Sequence, residues 1–324
     1  MKDASISLAS ELAGALVGIG AGSIRSILLY GSHMLGANPD RHSAVDFVVI
    51  VDEYRAFYAA LNEAGELHRP TWLLSFMAGF LPPNAIAFAP DDGRNGIAKC
   101  IIVSRFHLER ALGPDPPDHF LLGRLVQKVG PVYSVTVEDA EWVEQQLASA
   151  RHGVLEWMKP YLDGPIDAER LGRRMLEVCY GGEIRPESRQ RANRIFESQA
   201  GHFREHFGLV LARGAERGVL VESIHHEADR TRALATYELA RPASAASRRK
   251  WRRHFRKSKA RATARWFKHM ATFANWLPYV VRKVERHRGE RIELTALERR
   301  LPLIFLWPRA IKVLLTRPPK ELSR

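Results

Sequence analysis

Two apolar runs constrain this chain most: Ser26 to Tyr30, and Val45 to Val51, separated by Gly31-Ser32 and a polar loop. Their aliphatic and β-branched residues are those of buried strands. Strands of this kind need a core around them, and 324 residues suffice for two or three domains and a sizeable one. The second run carries a single carboxylate, Asp46, near its start. A hairpin with a polar loop is one explanation; a nucleotide and metal site is the other.

The formal charge is +13, unevenly spread: residues 241–324 hold 24 Lys/Arg and 5 acidic residues, against 25 and 31 in the first 240. The C-terminal part therefore faces polyanions, either nucleic acid or anionic lipid. Cys100 and Cys179 form no Cys-x-x-Cys or Cys-His cluster, which argues against a disulfide framework and a zinc site. The N-terminus lacks the pattern of a cleaved signal, so a bacterial-type cytoplasmic protein is expected. The uncharged run Thr71–Pro90 approaches the length of a membrane span, but Pro82-Pro83-Asn84 would break a helix there.

Periodicity predicts a helix over 6–18, strands over 26–30 and 45–51, and a helix over 53–64. Strands over 85–89 and 98–103 are joined by the turn Asp91 to Gly96, and Ser104 caps a helix running to about Leu112. One long helix is expected from Glu138 to about Leu162, a second from Asp167 to near Gly181-Gly182, and a third over 187–207. This gives an α/β module over 1–131, a mainly helical module over 132–240, and a basic C-terminal helical region over 241–324 that follows a small-residue linker.

A glycine that turns a strand into a helix exposes backbone N–H groups that can cradle phosphate, and a following hydroxyl adds a donor. Gly31 and Ser32 fit that role, and a carboxylate one strand later can hold a divalent ion. The arrangement resembles the nucleotidyltransferase superfamily associated with DNA polymerase β, whose second strand begins Asp-x-Asp. Ala44 stands at the position of the first Asp. An acceptor that is a phosphate monoester, with a second pKa of about 6, is already a nucleophile at neutral pH, so a sparse acidic set hints at such an acceptor.

Several ordered blocks make the chain resemble the mitochondrial-type phosphatidate cytidylyltransferases, the translocator assembly and maintenance proteins, and their bacterial relatives. They are Tyr30-Gly31-Ser32; Val45-Asp46-Phe47 through Val51-Asp52; Asn84; Ala98-Lys99-Cys100; Leu122-Gly123-Arg124-Leu125-Val126-Gln127-Lys128-Val129; Tyr180-Gly181-Gly182-Glu183; and His202 to Gly208. The family's Trp-His after the second strand is Phe57-Tyr58 here, and its His-Tyr-Ser has no clear counterpart. The resemblance implies a polymerase-β-like nucleotidyltransferase domain followed by a helical, winged-helix-like one. It implies Mg²⁺-dependent transfer of CMP from CTP to phosphatidate, peripheral on the inner membrane, with no nucleic-acid partner. Rival readings are a template-free RNA nucleotidyltransferase and a non-enzymatic lipid- or nucleotide-binding relative.

On this reading Tyr30, Gly31 and Ser32 cradle the triphosphate and Asp46 holds Mg²⁺. Asp52 would be a second ligand, but six residues of strand rise put it roughly 20 Å away, and capping the next helix is the alternative. Lys99 stands inside an apolar strand, where burying an ammonium is costly; contact with triphosphate oxygens would offset that, an outward-facing solvated lysine being the alternative. Arg124 and Lys128 share a face if their helix continues, and would bind pyrophosphate or acceptor phosphate unless they form a surface pair. His202, Arg204 and His206 are acceptor-side residues or a solvated helical face, and His33 beside the loop is expected to face solvent. Arg248, Arg249 and Lys250, with Trp251, Phe255 and the later Trp266-Phe267, Trp276-Leu277 and Leu301–Trp307, suit a helix at a lipid headgroup interface.

Overall fold

The computed structural model describes residues 2–20, 22–36, 44–67, 69–90, 96–181, 189–223, 235–272 and 295. The chain divides into two units, Met1–Thr272 and Phe273–Arg324, and only Thr295 of the second is described. The expectations for Trp276-Leu277, Leu301–Trp307, Gly182-Glu183 and most of the turn Asp91 to Gly96 lie outside the described residues.

A helix α1 (Lys2–Ile19) leads into β1 (Ile24–Tyr30), the single turn α2 (Ser32–Leu35), β2 (Val45–Val51), α3 (Tyr54–Glu63) and α4 (Thr71–Phe80). Then come β3 (Asn84–Phe88), β4 (Ala98–Ser104), α5 (Arg105–Leu112), α6 (His119–Leu125) and β5 (Gly130–Ser134). The five strands form one mixed sheet in the order β3-β4-β2-β1-β5, with β2 and β4 parallel and the other pairs antiparallel. The fold class is thus α/β. Pro131, the expected edge of the first module, lies inside β5, which pairs with β1.

Alternation along the strands sends their residues into two cores. Ile27, Leu29, Phe47, Val49, Cys100 and Ile102 pack under α1, α3 and α4. Leu28, Val48, Ile50, Ile101 and Val103 pack under the helices that follow. Ser104 accepts from the His107 backbone N–H and caps α5, as the sequence predicts.

The second half is helical: α7 (Val137–His152), α8 (Val154–Met158), α9 (Ala168–Gly181), α10 (Arg189–Glu197) and α11 (Ala200–Glu216), followed by the hairpin β6 (Leu220–Ser223) and β7 (Thr236–Leu239). The single helix expected over 138–162 is broken at Gly153, and a 3-10 turn, Lys159–Tyr161, ends it at Pro160. The helix expected over 187–207 is likewise two, parted at Ser198-Gln199. Gln199 is buried, accepts from the Lys128 backbone N–H and donates to Gln127 Oε1, so its amide serves the α6–β5 connection. Gly172 on α9 faces Phe203 and Phe196, where an added Cβ would come within 2.9 and 3.1 Å of ring atoms.

The basic segment forms α12 (Ala245–Thr272), which docks against α6 and β3. Trp251 is buried and Phe255 packs against His119 and Tyr161, with centroids at 4.3 and 5.1 Å. These two rings turn into the protein, contrary to the expected headgroup orientation. Further along, Arg261 and Arg265 both donate to buried Asp118, and the Lys268 ammonium donates to the Leu81 and Pro83 carbonyls at 2.6 and 2.7 Å. Among the described residues no helix is long and apolar enough to cross a membrane.

His119 is the hub of this docking, with Trp157, His254 and Phe255 within 4.3 to 4.8 Å of its ring. Burial, and then the neighbouring His254, push its pKa down to about 3. Below an ordinary histidine pKa the unfolded chain therefore takes up a proton that the folded chain refuses, so stability falls as pH drops from about 6.5 to about 3. Urea midpoints taken from pH 7 to pH 4 should decline, and His119→Gln should flatten that decline while lowering the neutral-pH value. Gly172→Ala should cost about 1–3 kcal/mol by overpacking. Gly14→Ala, in the open on α1, should gain about 0.5–1 kcal/mol, and chemical denaturation reads both.

Candidate active site

The carboxyl-terminal residue of β1 and the entry residues of β2 and β4 stand side by side. Tyr30 pairs with Asp46 across β1 and β2, and Asp46 with Lys99 across β2 and β4. All three belong to the alternation set that faces the helical half, with Leu28, Val48 and Ile101 further in. Each is partly exposed while its same-face neighbours further in are buried, so the row lies at the rim of the sheet.

Gly31 follows at once, with φ +76°, in the left-handed region that favours glycine. An added Cβ there would meet Asp46 Oδ2 at 2.7 Å. The glycine is therefore required twice, by its backbone and by the carboxylate lying over it. Ser32 then opens α2, and the Leu35 backbone N–H donates to the Gly31 carbonyl. His33 is buried, where the sequence suggested solvent.

Asp52 lies at the far end of β2 and forms an ion pair with Arg25 at 2.6 Å. It neither joins Asp46 nor caps α3 through its side chain; the N-cap position is Glu53, without a side-chain bond. Asn84 is buried and its amide donates to the Tyr58 hydroxyl, a bond internal to the core. The Cys100 thiol is pushed up by burial first and by the nearby Asp46 charge second, and neither cysteine is exposed.

The helix α6 stops at Leu125, so Arg124 and Lys128 do not share a helical face. Arg124 is buried, lies 3.8 Å over the Phe120 ring and donates to the Phe120 carbonyl. Lys128 lies in the connection to β5, whose first residue, Gly130, pairs with Leu29 next to Tyr30. The register thus carries the Arg124–Lys128 block to the Gly31 turn. The other blocks pack against this one: a Cβ on Gly123 would touch Cys179, which precedes Tyr180, and His202 Nε2 lies 3.4 Å from the Val126 carbonyl. Burial, followed by His206, holds the His202 pKa down to about 4, leaving it neutral at physiological pH.

Other expected residues stay apart. Arg204 forms an exposed ion pair with Glu169 at the start of α9. Arg248, Arg249 and Lys250 are exposed in the first turns of α12, and Lys250 pairs with Asp115. About 20 residues of helix, roughly 30 Å by helical rise, separate them from the other end of α12.

That other end supplies residues the sequence did not single out. His269 has a buried Nδ1 without a hydrogen-bond partner among the described residues. Its pKa is pushed down to about 2 by burial, then by Lys268, Arg265, Lys99 and Arg124. Cations of β4, α6 and α12 thus reinforce burial in keeping this imidazole neutral. No sequence motif marks it, because it depends on α12 folding back over the sheet.

Two clefts, of about 990 and 340 Å³, open elsewhere, and neither is lined by Gly31, Ser32, Asp46 or Lys99. Among the described residues no group of three or more His, Cys, Asp or Glu could hold a metal ion, so a cation here would rest on Asp46 and on ligands brought by a substrate. No protein-family model matches the sequence, and no curated protein matches it either.

Gly31→Ala should lose about 1–3 kcal/mol from a backbone conformation, φ +76° with ψ −155°, that is essentially reserved for glycine, plus the clash with Asp46. Asp46→Ala in that background should restore the clash component. A double-mutant cycle by urea denaturation measures it, and additive losses would show that the carboxylate does not press on Gly31.

Proposed function

We propose that the chain is a nucleotidyltransferase with a polymerase-β-like first domain, transferring CMP from CTP to phosphatidate to give CDP-diacylglycerol and pyrophosphate. The observation that carries this reading is the row Tyr30, Asp46, Lys99 on three neighbouring strands, beside a glycine turn shaped around the carboxylate. The packing of the Tyr180 and His202 segments against the Arg124–Lys128 block adds support, since these are the blocks that resemble the phosphatidate enzymes.

A single carboxylate with substrate phosphate oxygens suits Mg²⁺, which keeps few protein ligands where nucleotides bind. Asp46 would hold it, and the ion, when bound, neutralises charge on the triphosphate. The chain's own groups do the rest. Backbone N–H groups of the Gly31-Ser32 turn and the Ser32 hydroxyl donate to triphosphate oxygens. The Lys99 ammonium, level with Asp46, lies against the α-phosphate, and Arg124 and Lys128 serve the departing pyrophosphate or the acceptor phosphate.

An oxygen lone pair of the phosphatidate phosphate forms the new bond to the α-phosphorus. The bond from that phosphorus to the bridging oxygen breaks, and pyrophosphate leaves with the electron pair. The acceptor, with a second pKa of about 6, is already ionised, so no base is needed and positioning with charge neutralisation is the main catalytic contribution. One carboxylate is enough for such a reaction.

Exposed Arg248, Arg249, Arg252 and Arg253 on α12 favour a second reading, addition of a nucleotide to an RNA end. The purified chain, incubated with phosphatidate liposomes, Mg²⁺ and CTP labelled at the α-phosphate, should put label into the lipid. Asp46→Ala should lower the rate about a hundredfold or more. Label appearing only in added RNA would establish the second reading, and no label in either acceptor, with CTP bound, would establish a non-enzymatic binding protein.

A further inference from the structure

Helix α4 presents Trp72, Phe76 and Phe80 at intervals of four residues, and they are 70%, 60% and 73% exposed. Its inward face is already satisfied by buried Leu74 and Ala78. Phe76 and Phe80 stack on one another at 6.0 Å, which makes the ridge continuous. Single exposed apolar residues are ordinary, whereas three large aromatics in one line mark a contact surface.

The ridge does not end in neutral surface. Phe80 lines the 340 Å³ cleft with Arg110, Lys257 and Arg261. Arg110 is exposed on α5, one turn from Phe106, itself 66% exposed, and α12 adds exposed Arg253 and Arg256. The acidic residues of the cleft are engaged, Asp115 by Lys250 and Asp118 by Arg261 and Arg265. Aromatic rings with cations beside them match the headgroup layer of an anionic bilayer, where rings sit at the polar–apolar boundary and cations meet lipid phosphates. A second copy of the chain fits less well, because a two-fold contact through this patch brings two positively charged surfaces together, in a chain of charge +13.

We propose that the Trp72–Phe76–Phe80 ridge, flanked by Arg110 and Lys257, is the surface by which this protein docks on an anionic lipid bilayer. The docking is peripheral, and it stands apart from the cytidylyl-transfer reading because its readout is binding alone.

The test uses the full chain with Phe76→Cys labelled with an environment-sensitive fluorophore; Cys100 and Cys179 are buried, which directs the label to position 76. Val221→Cys, on the exposed strand β6, is the control. Vesicles of phosphatidylcholine with phosphatidylglycerol should shift the emission at 76 to the blue and leave 221 unchanged, and phosphatidylcholine alone should shift neither. The pair Trp72→Ser and Phe80→Ser should weaken vesicle partitioning about tenfold with an unchanged urea midpoint. Arg110→Gln with Lys257→Gln should remove the preference for anionic vesicles. No partitioning onto anionic vesicles, no shift at 76 on vesicles that retain the protein, or a shift that grows with protein concentration without vesicles, overturns the proposal.

Discussion

Burial of the central strands on both faces is the constraint from which the rest follows. In β2 every residue except Asp46 is buried, and in β4 every residue except Lys99. Polar side chains on these strands are tolerable only at the rim, where water or a ligand can reach them. Because β2 and β4 run parallel, their entry ends coincide, and the two polar residues become neighbours. The antiparallel β1 ends where β2 begins, which brings Tyr30 and the Gly31 turn to the same rim.

Attachment of α12 rests on different physics. Its docking face mixes aromatic burial at Trp251 and Phe255 with charged contacts at Arg261, Arg265 and Lys268. Asp118 is buried against two guanidiniums; burial alone would raise its pKa, but Arg265 and Arg261 outweigh that and hold it below the ordinary carboxylate range. Lys268 is pushed down to about 6 by burial and by the same arginines, and its Nζ donates to backbone carbonyls around Pro82-Pro83. Removing one member of such a buried set leaves the others uncompensated and costs about 3–5 kcal/mol. The charges therefore fix where α12 lies, and through it bring His269 within the electrostatic reach of Lys99 and Arg124.

Most strands and helix starts were legible locally. The run Val45–Val51 matches its strand end to end, Ser104 caps α5, and Asp167 accepts from the Arg170 backbone N–H at the start of α9. Helix breaks at Gly153 and at Ser198-Gln199 were not legible, because the apolar period runs through both and the second depends on a Gln199 amide used 71 and 72 residues away. Trp251 and Phe255 were misassigned for a related reason. An aromatic-basic helix has the same composition whether its rings meet lipid or His119 and Tyr161.

The buried strands, the glycine turn with its hydroxyl, the lone carboxylate at a strand entry and the concentration of positive charge after residue 240 are all readable along the chain. These are local properties, written in period, composition and backbone preference. That Asp46 stands level with Lys99, that Asp52 belongs to Arg25 at the other end of the strand, and that the end of α12 returns to the sheet are set by the folded chain. Strand order, parallel register and long-range ion pairs arise from contacts between residues distant in sequence, and no local pattern encodes which partner each will find.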